Sequence, residues 1–229
     1  MTTLEQPMNA SQTTVQIDAD VTALVARLSG QLRDGQRYLL GICGAPGSGK
    51  STLSSQLVAR LGAASVAVPM DGFHIASTAL SSPEQLTRRG AIDTFDVDGY
   101  LTLLQRLRRR TDSVVYAPGF DRRIGEPVAG LIPIPASTQI VITEGNYLLS
   151  PAPRWRDIRG LLDETWFLEL DDAIRISRLE ARHREFGKSI AAAAAMAHGS
   201  DEDNARQVAM SGVRADLIIR FAAPDEASI

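Results

Sequence analysis

The stretch Gly44-Ala45-Pro46-Gly47-Ser48-Gly49-Lys50-Ser51 constrains this chain more than any other. It matches G-x-x-x-x-G-K-[ST] at every fixed position. Its glycines let the backbone turn so that several N–H groups face one anion. A helix opening at Lys50 would present its positive end to the same anion. An apolar run over 38–43 leads in, and a helical pattern over 50–61 leads out. Strand, turn and helix in that order predict a phosphate cradle rather than a glycine-rich connection. Gly44, Ala45, Pro46, Gly47, Ser48, Gly49, Lys50, Ser51 and Thr52 are expected to hold the phosphates of ATP. Lys50 would reach the β- and γ-phosphates, and the Ser51 hydroxyl would ligate Mg²⁺.

The rest of the chain reads as short apolar strands alternating with helices. Val21, Leu24, Val25, Leu28 and Leu32 recur at helical spacing over 17–33, and Asp34-Gly35 closes that helix. Residues 65–70 read as a buried strand ending at Asp71. Residues 75–96 are too long for an ordinary connection and predict a functional loop with helical pieces. A helix follows over 97–110, then a short strand over 113–116 that leads into a Pro-Gly loop over 117–123. Strands are expected over 139–143, 165–170 and 215–221. Helices are expected over 171–186, around the Ala run 191–195, and over 204–213. Such alternation predicts an α/β fold: a three-layer sandwich around a parallel sheet. No linker or repeat is visible, so 17–229 reads as one domain. Within it, a helical lid insertion covers about 175–200, and the polar segment 1–16 reads as flexible.

Composition removes some classes. A net charge of −3 gives no reason to expect a nucleic-acid partner. The apolar stretch 127–143 contains three prolines and is not a membrane span, so no membrane partner is expected. The N-terminus lacks a basic start followed by an apolar core, which argues against a secretory signal. The lone Cys43 cannot form an internal disulfide, which fits a reducing, cytoplasmic setting. Only three histidines occur, with no His/Cys cluster to suggest zinc. Among 24 basic residues, lysine stands only at Lys50 and Lys188.

Two carboxylates then narrow the chemistry. Asp71 ends one strand in Met70-Asp71-Gly72-Phe73-His74, and Glu144 ends another in Thr143-Glu144-Gly145-Asn146-Tyr147. In a parallel sheet the carboxyl ends of the strands line one crevice. There, one carboxylate can deprotonate an attacking hydroxyl while the other helps hold Mg²⁺. As a helix cap or turn residue, either would do neither. No Asn-Lys-x-Asp guanine-reading box is present. The expected activity is transfer of a γ-phosphate to the hydroxyl of a small molecule. An ATP-hydrolysing switch and a non-catalytic ATP-binding module are the rivals.

These pieces resemble the phosphoribulokinase/uridine kinase/bacterial pantothenate kinase family of P-loop kinases. The likeness rests on the P-loop, 70–74, Arg89-Gly90-Ala91-Ile92-Asp93-Thr94-Phe95-Asp96, 144–147 and the Arg-rich helix around Arg178 and Arg182. The resemblance implies a P-loop NTPase fold, Asp71 as base, Glu144 near Mg²⁺, and Arg178 and Arg182 as lid cations on the migrating phosphate. Tyr116-Ala117-Pro118-Gly119-Phe120-Asp121-Arg122 and Arg182-His183-x-x-Phe186-Gly187-Lys188 are similar to a branch labelled nucleoside/nucleotide kinase-like or sugar-transport kinase. The chain departs from uridine kinases proper, because Gly-Phe-His rather than Ser-Phe-Tyr follows Asp71.

A substrate wall is expected from Asp71, His74, Tyr116, Phe120, Asp121 and Arg122. An aromatic, an acid and bases on one loop suit a carboxylate, a phosphate or sugar hydroxyls. An internal ion pair in that loop is the plainer reading, and His74 could as well cap its own turn. Arg175 shares a helix face with Arg178 and Arg182, whereas Arg184 suits a solvated position. Arg106 to Arg110 read as solvated helix end, and Trp155 and Trp166 as packing residues. The resemblance places an adenine pocket near the last strand, with Asn204 and Arg214 as candidates. Nucleoside, pantothenate-like acid, sugar and glycerate-like acid all remain open as acceptor, and a homodimer is compatible with the chain.

Overall fold

The computed structural model describes residues 15–18, 20–33 and 35–221. Of the segment 1–16, read above as flexible, residues 1–14 lie outside the described residues, and Val15 and Gln16 belong to a strand. Six parallel strands form the main sheet: β1 (Val15–Asp18), β2 (Tyr38–Cys43), β3 (Ser65–Pro69), β6 (Ile140–Gly145), β7 (Glu164–Glu169) and β8 (Leu217–Arg220). Their spatial order is β1-β8-β7-β2-β6-β3. The helix expected from residue 17 begins only at Val21, as α1 (Val21–Ser29), capped by Asp20. Val15–Asp18 pair with β8 instead, so Ile17 and Asp18 belong to a strand.

The P-loop strand β2 lies between β6 and β7, the most protected place in the sheet. Leu39, Leu40, Ile42 and Cys43 are all fully buried. A parallel strand covered on both faces reads as a continuous apolar run, which is why this one was legible. Its alternate residues point to opposite layers. Leu40 and Ile42 pack with Leu24 and Leu28 of α1 and with Leu53 and Leu57 of α2 (Lys50–Leu61). Leu39 and Cys43 face a second cluster with Tyr100, Leu104 and Leu107 of α4 (Val97–Arg109). That gives helix, sheet and helix as three layers. The connection at 75–96 holds short helical pieces, among them α3 (Pro83–Thr87).

The largest departure from expectation is an antiparallel hairpin. β4 (Val114–Asp121) is longer than the strand expected over 113–116, and β5 (Glu126–Pro135) was not expected at all. The two form a separate two-stranded sheet with a register shift between Ala117 and Gly119, around Pro118. Pro127, Pro133 and Pro135 hid β5. A strand in the middle of a sheet could not afford them, but a strand with a free edge can. Between β7 and β8 lie α5 (Asp172–Glu185), α6 (Ile190–His198) and α7 (Ser200–Ala209). No helix among the described residues is long and apolar enough to cross a membrane.

Candidate functional site

The carboxyl ends of β2, β3, β6 and β7 open on one edge, and each delivers a polar element there. β2 runs into the P-loop. Gly47 and Gly49 take left-handed backbone, with φ of 81° and 95°. Gly49 is also the N-cap of α2, and having no side chain it leaves the first-turn N–H groups to an anion. The loop has little room behind it. A Cβ on Gly47 would lie 2.8 Å from the Arg175 carbonyl oxygen and from the Leu179 side chain.

Lys50 is 7% exposed, and its Nζ donates to the Gly44 and Ala45 carbonyls, both at 2.9 Å. Burial pushes its pKa down, and the Glu144 carboxylate pulls it back up. Ser51 Oγ donates to Glu144 Oε1 at 2.7 Å. Glu144 is 5% exposed, in register with Ile42 on one side and Pro69 on the other. Burial raises its pKa, the neighbouring Asp71 raises it further, and Lys50 and Ser51 oppose both.

The sign of a pH effect follows. A glutamate with a raised folded pKa holds its proton more tightly when folded. Its stabilising share is therefore lost as pH climbs from the ordinary glutamate range, 4.5, through the raised value. Glu144→Gln removes that loss while still accepting from Ser51. Melting curves without nucleotide should favour the variant increasingly as pH rises, with a gain on the order of 0.5–2 kcal/mol. The same variant should lose turnover.

Asp71 lies in a one-turn helix, Met70–Phe73, just past β3. Its carboxylate is 38% exposed and stands 3.9 Å from the Arg122 guanidinium. His74 Nδ1 is 2.8 Å from the Asp71 carbonyl oxygen, which can only accept, so Nδ1 carries the proton. Burial lowers the His74 pKa, which leaves a neutral ring with a lone pair on Nε2. The ring packs against Phe95 at 4.1 Å and Phe120 at 5.1 Å between centroids. His74 thus caps its own turn beside the site.

The hairpin is pressed onto this turn. A Cβ on Gly72 would meet the Pro118 carbonyl oxygen at 2.4 Å, and backbone cannot yield as a side chain can. Gly72 therefore leaves the space that the Pro118 backbone fills. Gly72→Ser should force the hairpin off the Asp71 turn at a cost of about 1–3 kcal/mol. A thermal melt would show it as a drop of roughly 2–4 °C per kcal/mol.

A cleft of about 860 Å³ is lined by Gly47 through Leu53 of the P-loop and α2, and by Arg122, Arg178 and Arg182. Val21, Gln56, Arg220 and Phe221 line it as well. The structure thus brings Arg122 from the hairpin to the same space as Arg178 and Arg182 from α5. Asp71 stands beside Arg122, and Glu144 is bonded to Ser51. Trp155 and Trp166 are buried packing residues, as expected.

Other expected site residues are placed elsewhere. Tyr116 is 61% exposed between the buried Val115 and Ala117, so its ring lies on the hairpin's outer face, outside the cleft. Asp121 turns back on its own loop: its carboxylate binds Arg123 Nη2 at 2.6 Å and the Arg123 backbone N–H at 2.9 Å. Those bonds pull its pKa down to about 2. The plainer reading, an internal ion pair, holds there. Asn204 and Arg214 precede β8 and do not line the cleft, whereas Arg220 and Phe221 at its carboxyl end do. A parallel strand presents its ligand edge at the carboxyl end, which the expectation for Asn204 and Arg214 overlooked. Arg175 is 1% exposed and does not join the lid face. It bonds Asp172, Glu202 and, at 3.5 Å, the Pro46 carbonyl. Its pairing with Glu202 spans 27 residues and left no local signal.

Likeness to known proteins agrees with this geometry. No protein-family model matches the chain. It is 39% identical over 182 residues to Schizosaccharomyces pombe C227.14, named as a candidate uridine kinase, with 74% of this chain and 77% of that one covered. It is 30% identical over 191 residues to Escherichia coli YggC, an uncharacterised protein, with 81% and 78% covered. Among solved structures it is similar to a Silicibacter protein described as a candidate fructose transport system kinase. That match has a TM-score of 0.79 and 38% identity, over 87% of this chain and 98% of the other. With these relatives and this α/β architecture, the chain belongs to the uridine kinase-like family of P-loop kinases.

Proposed function

We propose that this chain is an ATP-dependent kinase that phosphorylates a hydroxyl of a small metabolite. One observation carries the reading: the Asp71 carboxylate stands 3.9 Å from Arg122, which lines the same cleft as Lys50, Arg178 and Arg182. A module that only binds nucleotide has no use for a half-exposed carboxylate at that spot. The protein offers oxygen donors, Ser51 Oγ and Glu144, 2.7 Å apart. No cluster of three or more His, Cys, Asp or Glu occurs among the described residues. That set suits Mg²⁺, which takes few protein ligands and completes its shell with phosphate and water. When bound, the ion would neutralise charge on the β- and γ-phosphates.

The chain's own residues do the rest. Lys50 exchanges its two loop carbonyls for phosphate oxygens. Asp71 accepts the proton of the acceptor hydroxyl as that oxygen attacks the γ-phosphorus, and the bond to the bridging oxygen breaks to release ADP. Arg178 and Arg182 spread the charge that builds on the phosphoryl group and help exclude water. The test is ADP release from ATP·Mg²⁺ across nucleosides, sugars, pantothenate and short hydroxy acids, with the phosphorylated product identified. Strong ADP release with no acceptor phosphorylated would favour a hydrolase instead. ATP binding without any turnover would favour a regulatory module.

A further inference from the structure

We propose that the phosphate acceptor is itself an anion, a hydroxy acid or a phosphorylated hydroxyl compound, and that Arg122 binds its charge beside the hydroxyl held by Asp71. This rests on the kinase reading above and deepens it to a substrate class.

The neighbouring arginines are already engaged. Arg88 binds Asp93 with two bonds, at 3.1 and 2.9 Å. Arg89 binds Glu126 at 2.6 Å and also reaches Ser77 and the Gly125 carbonyl. Arg123 is held by Asp121. Arg122, in the middle of this set, makes no hydrogen bond among the described residues. Its contacts are the 3.9 Å approach to Asp71 and the Phe186 ring at 5.7 Å. Its side chain is 47% exposed and faces the cleft. A guanidinium carries five donors in a planar fork that matches a carboxylate or a phosphate.

Charge points the same way. Glu126 and Asp121 are already neutralised by Arg89 and Arg123, and burial lowers the His74 pKa. What remains on the acceptor wall is Asp71 and Arg122. Facing them is Arg182, with no carboxylate at ion-pair distance among the described residues; burial and the nearby Arg122 charge both depress its pKa. The Asp201, Asp71 and Glu144 carboxylates offset part of that charge, and an anion between the two arginines would offset more. The γ-phosphate meets Arg178 and Arg182, which come from α5 on the β7 side. Arg122 comes from the opposite wall, with Asp71 and β3. A cationic acceptor would be repelled there, and a neutral one would leave Arg122 with only its 3.9 Å approach to Asp71 and no hydrogen-bonded anion. The short Asp71–Arg122 distance also sets the anion and the reacting hydroxyl only a few bonds apart in the acceptor.

The experiment uses acceptor pairs that differ in charge alone: glycerate with glycerol, pantothenate with pantothenol, and fructose 1-phosphate with fructose. ADP release and product phosphorylation are followed with the full chain, and binding is followed by calorimetry with a non-hydrolysable ATP analogue. The expected result is at least about a tenfold preference in kcat/KM for one anionic member, carried by its KM. Arg122→Gln should raise that KM about 10- to 100-fold, and Arg122→Lys should recover part of it. The glycerate and pantothenate arms report a carboxylate, and the fructose 1-phosphate arm reports a phosphate. A neutral member preferred over its anion would overturn the proposal and leave the kinase reading standing. So would an Arg122→Gln variant that lowers kcat equally for both members with KM untouched, which would assign Arg122 to the transferred phosphate. Arg122-dependent binding of an anion without turnover would keep the anion site and remove the kinase reading. No binding and no turnover by any anion would remove both.

Discussion

Asp71→Asn is expected to lower kcat by about 10²- to 10⁴-fold while the KM for ATP stays where it was. Asparagine has the same shape and can still orient a hydroxyl, but it cannot take the proton. The turn should survive the change, because the bonds from His74 to position 71 go to the backbone carbonyl and not to the side chain. The carboxylate's 38% exposure means that removing its charge leaves no buried group unpaired. Steady-state kinetics on the best acceptor, with a melting curve as a folding control, decide the point. Undiminished turnover in a folded Asp71→Asn would remove the proposed base.

Glu202→Ala is expected to cost about 3 kcal/mol, the lower end for breaking a buried ion pair. Arg175 is 1% exposed and shares its guanidinium between Asp172, Glu202 and the Pro46 carbonyl. Without Glu202 it keeps the long bond to the Pro46 carbonyl and one carboxylate, Asp172, itself 78% exposed. The melting temperature should fall by roughly 6–12 °C for a chain of this size. Nucleotide affinity should fall too, because the same arginine braces the P-loop apex from behind. A double variant, Arg175→Met with Glu202→Leu, separates the two effects. Apolar replacement of both partners should recover most of the stability but not the brace. Full recovery of ATP affinity in the double variant would show that Arg175 has no positioning role.

Much of the fold was readable because its signals are local. The buried strand at 38–43 and the helix at 50–61 follow from a continuous apolar run and from helical spacing around a glycine turn. Asp71 and Glu144 could be placed because each lies at the carboxyl end of such a strand. β5 was not readable, because its prolines argue against a strand unless one knows that an edge is free. β1 was hidden because four residues show no period, and only pairing with β8 makes them a strand. For Tyr116 and Asp121, the motif named a loop without saying which way each side chain turns. Pairing with β5 put Tyr116 outward, and the bonds to Arg123 turned Asp121 inward on its own loop.

The sequence by itself determined the phosphate cradle, the parallel sheet and the two carboxylates at its open edge. Those depend on residues adjacent in the chain and on apolar periods within single elements. Tertiary structure alone decided that Arg122 would share a cleft with Arg178 and Arg182, and that Arg175 would leave their company to brace the P-loop. It also decided that Glu144 would be buried against Ser51, 93 residues away. The reason is physical: burial and charge pairing are fixed by which distant surfaces meet, and no local pattern encodes that meeting.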